Sequence, residues 1–266
     1  MLDIMSQAQN AIEVYNSALN VHSANIANMS VVGYKRLDVS FQSIFEKVLS
    51  AGTPASGSDN LGGTNPMQFG QGVAVAGVNV DMSQGDLVAA NNIDLAISGQ
   101  GFFIVSNDGG NTNLYSRAGQ FSVVSGNLVN QSGMQVYGLN SAGSMVPITG
   151  LAGSSANYSW DSSGQLLYNT LPTGYRIAMT YFENPGGLLQ AQGTTLKETM
   201  ASGSAAAAAA PGGTAGTISP GQLEQSNVFY LGETIDTLKM QEAMNGNLSI
   251  VRMASDLISS FITRLG

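Results

Sequence analysis

Apolar residues recur with a helical period at both ends of the chain and in short alternating runs between them. From Leu2 to Ile26 there is no Gly or Pro, and Met5, Ile12, Leu19 and Ile26 are spaced by seven. Ala8 and Tyr15 stand three residues after the first two of these, and Ile4, Ala11 and Ala18 immediately precede the first three. This spacing predicts a helix whose stripe is about three positions wide per heptad, broader than a two-stranded seam. The C-terminal segment repeats it: Met244, Val251, Ile258 and Leu265 are spaced by seven, accompanied by Leu248 and Ile262 and by Ala243, Ile250 and Leu257. Val228, Leu231, Ile235 and Leu238 follow another phase, and the shift falls near Gly246, where a kink or stutter is expected. Two readings are open. Both helices pack on a central domain, or they need neighbours on more than one side.

The middle, roughly 65–199, reads as short strands divided by turns. Candidates are 73–82, 95–97, 102–105, 114–117, 121–124, 134–137, 165–167 and 175–181, with turn signals at Asp108-Gly109, Ser125-Gly126, Ser132-Gly133 and Ser163-Gly164. Two segments of linker composition bracket this region. Ser50–Thr64 holds Ala, Leu and small or turn-forming polar residues, and Ser202–Ser219 contains the run Ala205–Ala210 followed by Pro211-Gly212-Gly213. The expected fold class is α+β: N- and C-terminal helices pair as a coiled-coil-like helical domain, and an all-β domain is inserted between them. The expected boundaries are 1–45 for the N-terminal helical part, 46–64 for a linker, 65–201 for the β-rich domain, 202–219 for a second linker and 220–266 for the C-terminal helical part.

Composition changes this picture in one direction. Charged residues are 10% of the 266, against roughly 25% in an ordinary soluble domain. A chain with so few charges fits a subunit covered by neighbours better than a freely diffusing monomer. The nine cations are scattered from Lys35 to Arg264 and the net charge is −8, so a nucleic-acid partner is not expected. No run reaches the roughly 18 apolar residues of a membrane span, and the N-terminus lacks the pattern of a secretory signal. The absence of Cys excludes disulfides and thiolate chemistry.

Candidate chemistry is sparse. His22 is the single imidazole and lies on the helical stripe, so it reads as a packed or interface residue rather than a zinc ligand or triad member. Gly70-Gln71-Gly72 and Gly99-Gln100-Gly101 lack the third glycine of a dinucleotide site, and the second of these reads as a tight turn. Asp81 with Asp86, or Asp94 with Asp108, has no spacing that implies an acid/base pair, so surface or turn-capping roles are the expectation. No catalytic residue, metal or cofactor is expected.

The residues themselves carry a family likeness. Leu19–Arg36 (LNVHSANIANMSVVGYKR) closely resembles the signature of the flagellar rod and hook axial proteins, with Asn25, Ala27, Asn28, Gly33, Tyr34 and Lys35 at matching positions. Leu223, Glu224, Ser226, Asn227 and Val228, with Glu233 following, resemble the family's C-terminal element. Between them, 65–72, 84–105, 115–121, 127–130 and 175–188 are similar to the β domain these proteins share. His22 stands where the family commonly has an apolar residue. Glu242 and Met244 replace an Arg and a Tyr of the family pattern, so the contacts of those two are not carried over.

The resemblance implies a non-enzymatic subunit that polymerises helically, its terminal helices lining an export channel and its β domain forming an outer tube. Implied partners are further copies of the chain, adjacent rod and hook proteins and the flagellar type III export apparatus; the implied place is the basal body, or outside the cell for a hook. The helix-stripe residues Met5, Ile12, Leu19, Ile26, Met244, Val251, Ile258 and Leu265 are expected at subunit interfaces. Within the family, the chain's length and the extra segment 46–64 favour the distal rod, with hook and proximal rod as alternatives. A secreted β-domain enzyme or carbohydrate-binding module is the remote alternative.

Overall fold

A computed structural model describes residues 2–44, 47–52, 63–70 and 72–265. The chain forms two compact units. One comprises residues 1–24, 38–78 and 231–266; the other comprises 25–37 and 79–230.

In the first unit, α1 (Leu2–Ala27) forms where the sequence has no helix breaker. Its most buried line is Ala8, Ala11 and Ala18, continued by His22. Met5, Ile12 and Leu19 are half-buried beside it. Alanine lets a neighbouring element approach closely, so the sunken line runs along the small residues and not along the larger ones beside them. The second helix, α2 (Tyr230–Leu265), runs unbroken through Gly246. Met244, Val251 and Ile258 are half-buried, whereas Met253, Leu257, Phe261 and Ile262 stay exposed; the side chain of Leu265 lies outside the described residues. With two long helices and a β-rich region between them, the architecture is α+β.

The remaining part of this unit is extended and takes in 47–50, the start of the expected linker or rod-type segment 46–64. The strand Lys47–Ser50 pairs antiparallel with Met67–Phe69, and Leu37–Ser43 pairs with Val73–Val80. Leu, Val and Phe alternating with polar residues in one strand, and the valines of the other, support the longer pair. Its side chains reach α1: the rings of Tyr15 and Phe41 lie 6.3 Å apart, and the Gln7 amide donates to the Gly70 carbonyl at 3.3 Å. Glu46 and residues 53–62 lie outside the described residues.

The second unit is built on a twelve-stranded antiparallel sheet. Its central strand, Phe102–Ser106, is apolar at four successive positions and buried at all five. Alternation sends Phe103 and Val105 into one core with Leu95, Ile97, Leu128, Trp160 and Ile177. Phe102 and Ile104 point into a second core with Tyr115, Tyr137, Phe182 and Leu196. Seven of the eight strand candidates fall on single strands; the eighth, 175–181, spans the end of Leu171–Ile177 and the whole of Met179–Thr180.

The second expected linker, 202–219, is instead part of this unit. Ala205, Ala208 and Ala210 pack on the second core. Met179 and Ala209 exchange backbone hydrogen bonds at 2.9 Å, and Ala206 donates to the Tyr181 carbonyl at 3.0 Å. A run of methyl groups lies flat on a sheet, so the composition that reads as flexible serves here as a cover. The segment expected to begin the C-terminal helix also starts extended: Thr217–Pro220 and Gln222–Glu224 are strands, and the helix begins at Tyr230.

Candidate functional site

The two signature segments meet in the second unit, around a buried carboxylate. Glu224 belongs to the strand Gln222–Glu224, whose pairing with Leu87–Ala89 fixes its backbone and turns its side chain inward. One oxygen accepts from Lys35 Nζ at 2.6 Å and from the Gly85 amide at 3.0 Å. The other faces Arg117 Nη1 at 3.5 Å, near enough for charge pairing but long for a hydrogen bond. Lys35 also donates to the Ser83 carbonyl at 2.7 Å. Arg117 donates to the Gly99 carbonyl at 2.7 Å and lies over the Phe102 ring at 4.9 Å. All three side chains are at most 2% exposed.

Such burial is costly for each charge alone and tolerable for the group together. Burial holds both Lys35 and Arg117 below their ordinary pKa ranges, opposed by the Glu224 charge. The unfolded chain therefore binds the Lys35 proton more tightly than the folded one, so burying this ammonium costs stability at neutral pH. Glu224 offsets part of that cost by keeping the cation paired.

Around this centre the remaining signature residues act as ties. Asn25 is fully buried; its amide donates to the Leu37 carbonyl at 2.8 Å, and its oxygen accepts from the Leu37 amide at 2.9 Å and the Tyr34 hydroxyl at 3.3 Å. Gly33 donates to the Glu224 carbonyl at 2.8 Å. It has a φ of +68°, and a Cβ there would meet the Ala118 nitrogen at 2.4 Å, so both conformation and space demand glycine. Asn227 accepts from the Arg36 amide at 2.7 Å and donates to the Asp81 carbonyl at 2.8 Å. Leu223 is buried, Val228 half-buried, and the Ser226 hydroxyl accepts from the Val228 amide at 3.2 Å. The Asn28 amide donates to the Asn25 carbonyl at 3.1 Å as α1 ends, and Ala27 is exposed at its last position. Sequence reasoning placed these residues in two motifs but did not single out Arg117. The available signal was its place in 115–121, one of the stretches similar to the family's β domain.

In the first unit His22 is a packed residue: its Nδ1 lies 2.7 Å from Glu233 Oε2, both side chains being buried. Ile26 is half-buried at the end of α1.

Of the four carboxylates considered as acid/base candidates, Asp81, Asp94 and Asp108 hold backbone, and Asp86 is tied through its own carbonyl, which accepts from the Gln225 amide at 2.9 Å. Asp94 accepts from the Phe121 and Asn91 amides at 3.1 Å. Asp108 accepts from the Ser106 hydroxyl at 2.7 Å and the Thr112 amide at 2.9 Å, which depresses its pKa to about 2. Asp81 accepts from the Ser83 amide and pairs with Arg36 at 3.5 Å. An open groove of about 950 Å³ is lined by neutral side chains such as Asn92, Gln120, Ser122 and Gln131, beside Asp94 with its hydrogen bonds already made. Among the described residues no cluster of His, Asp and Glu is arranged to hold a metal ion, and no helix is long and apolar enough to cross a membrane.

The residues gathered around Glu224 are those by which the sequence resembles the axial proteins of the bacterial flagellum, and the comparisons agree. Residues 96–168 match the family described as flagellar hook protein FlgE/F/G D1 domain, and residues 16–35 match the flagella basal body rod protein family. The flagellar basal-body rod protein FlgG of Caulobacter vibrioides is 31% identical over 91% of both chains. FlgG of Bacillus subtilis is 27% identical over 98% of both. The flagellar hook protein FlgE of Helicobacter mustelae is 37% identical, but over 52% of this chain and 31% of its own length. The chain belongs to the flagellar basal-body rod protein family. It is a structural subunit of the rod, and its place is the flagellar basal body.

Proposed function

We propose that the chain is the distal rod subunit, polymerising helically into a tube that transmits torque and encloses the export channel. In this reading the terminal helices form the inner wall and the β unit the outer one. The observation that carries it is the apolar surface left on α2: Met253, Leu257, Phe261 and Ile262 are each at least half exposed. Their burial requires other chains. Met5, Ile12, Leu19, Ile26, Met244, Val251, Ile258 and Leu265 are the proposed interface line, and the partners are further copies, adjacent rod and hook proteins and the type III export apparatus. The role is mechanical, without catalysis.

The segment 46–64 contacts an adjacent subunit in this reading, so its deletion should make the polymer more flexible or block its growth; a straight tube of unchanged stiffness would remove the distal-rod assignment. A hook subunit is the second reading, favoured by the 37% identity with a hook protein across half of this chain; a proximal rod subunit is the third. Locating the assembled chain in intact basal bodies decides among them. The distal-rod reading expects it within the periplasm-spanning shaft next to the hook, and a position beyond the outer membrane would make it a hook protein.

A further inference from the structure

We propose that residues 213–228 form a strap that opens and closes on an otherwise formed β unit, and that the Glu224 carboxylate is the lock holding it shut. The proposal goes beyond the rod reading, because it concerns how the chain completes its own fold.

Topology sets the strap apart. Its strands do not belong to the twelve-stranded sheet: Thr217–Pro220 pairs with Leu95–Ser98, and Gln222–Glu224 pairs with Leu87–Ala89, each as a separate two-stranded sheet. The main sheet therefore keeps its hydrogen bonds when the strap lifts. Small two-stranded sheets are marginal by themselves, so something further must hold them.

Shape supplies part of that hold. Ala215, Ile218 and Leu223 of the strap are themselves buried, the first two in the first core of the β unit. A Cβ on Gly101 would meet the Ala215 carbonyl at 2.4 Å, one on Gly99 the Gly216 Cα at 2.6 Å, and one on Gly85 the Gln225 carbonyl at 2.1 Å. The strap thus lies backbone against backbone along a glycine-marked track.

Charge supplies the rest. Lys35 comes from the N-terminal signature and Arg117 from the sheet, and the strap brings the carboxylate that both face. Asp81 is the other acidic group acting on Lys35, and it pairs with Arg36. With the strap lifted, water reaches both cations and solvates them; with it closed, they are tolerated through Glu224. Replacing that carboxylate by a neutral group leaves two like charges under the strap and favours the open form. Because Glu224 also accepts from Gly33 through its carbonyl, opening releases the N-terminal signature from the same contact.

The test is amide hydrogen exchange on the full-length chain. In the unchanged protein, amides of 217–224 and their partners in 87–98 should exchange through a shared opening, at least roughly tenfold faster than those of Phe102–Ser106 and Gln135–Leu139. In Glu224→Gln the first group should accelerate by a further roughly tenfold or more, and the second by no more than that factor, so that the strap stays the faster of the two. A triple change of Lys35→Met, Arg117→Met and Glu224→Leu should return the strap toward its original protection. Equal exchange of strap and sheet in the unchanged protein overturns the proposal, since the strap then has no motion of its own. So does a Glu224→Gln chain whose strap is unaffected, or whose strap and sheet come to exchange at the same rate. A triple variant as open as the single one shows that charge matching is not the lock.

Discussion

The two units solve the problem of burying apolar surface in opposite ways. The β unit places Phe102, Phe103, Leu95, Ile97, Met179 and Phe182 out of reach of water and balances its buried cations with its own glutamate. The helical unit sinks a line of alanines and one His22–Glu233 pair, and leaves leucine, methionine and phenylalanine side chains of α2 in solvent. The difference teaches that low charge content has two separate causes here. In one unit it goes with a complete interior; in the other it goes with apolar side chains left in solvent, which the proposed function assigns to contacts with other chains.

The comparison is most sharply broken at Glu224. Glu224→Ala strands two buried cations and should cost the β unit about 3–5 kcal/mol. Urea unfolding followed by the fluorescence of Trp160, which is buried and donates to the Ile93 carbonyl at 2.6 Å, reads this unit alone. A loss below about 1 kcal/mol would mean the ion group is not holding the fold. Gly33→Ala comes next: a side chain forced into positive φ against the Ala118 backbone should cost about 2 kcal/mol in the same assay.

Changing Leu257 and Phe261 to Ser should leave Trp160 unfolding within about 0.5 kcal/mol of the parent. Sedimentation should nevertheless show that polymers no longer form. Normal polymers from this variant would deny the exposed face its role. The smallest effect belongs to Asp108. Its pKa falls from 3.8 to about 2 through the hydrogen bonds it accepts from Ser106 and Thr112. A depressed carboxylate pKa gives stability that is fully present above the unfolded value and lost as pH falls through the folded one. The turn 106–112 should therefore loosen between about pH 4 and pH 2, and Asp108→Asn should remove that step from an acid titration monitored by nuclear magnetic resonance.

Much of this division was legible in the sequence, because heptad spacing and period-two alternation follow directly from helix and strand geometry. The seven-residue spacing located both helices and a stripe that included Ala8, Ala11 and Ala18, but it could not tell that these alanines lie deeper than Met5, Ile12 and Leu19, since depth depends on which neighbour comes close. The Ala205–Ala210 run read as a linker because composition does not reveal a sheet waiting to be covered. Strands as short as Leu87–Ala89 and Gln222–Glu224 carry too few residues for a period, and they form through partners more than 130 positions away. The clasp residues Asn25, Gly33, Lys35, Glu224 and Asn227 were visible as family motifs. That Lys35 and Arg117 face one Glu224 carboxylate is a three-dimensional fact that spacing along the chain does not contain.

Limited trypsin digestion of the free chain and of its polymer tests the contrast between the units most directly. Lys239 and Arg252 are exposed on α2, whereas Lys35 and Arg117 are buried in the clasp. The account expects cleavage of the free chain after Lys239 and Arg252 with Lys35 and Arg117 spared, and protection of all four sites once the chain has polymerised. Resistance at Lys239 and Arg252 in the free chain, or their continued cleavage in the polymer, would contradict it.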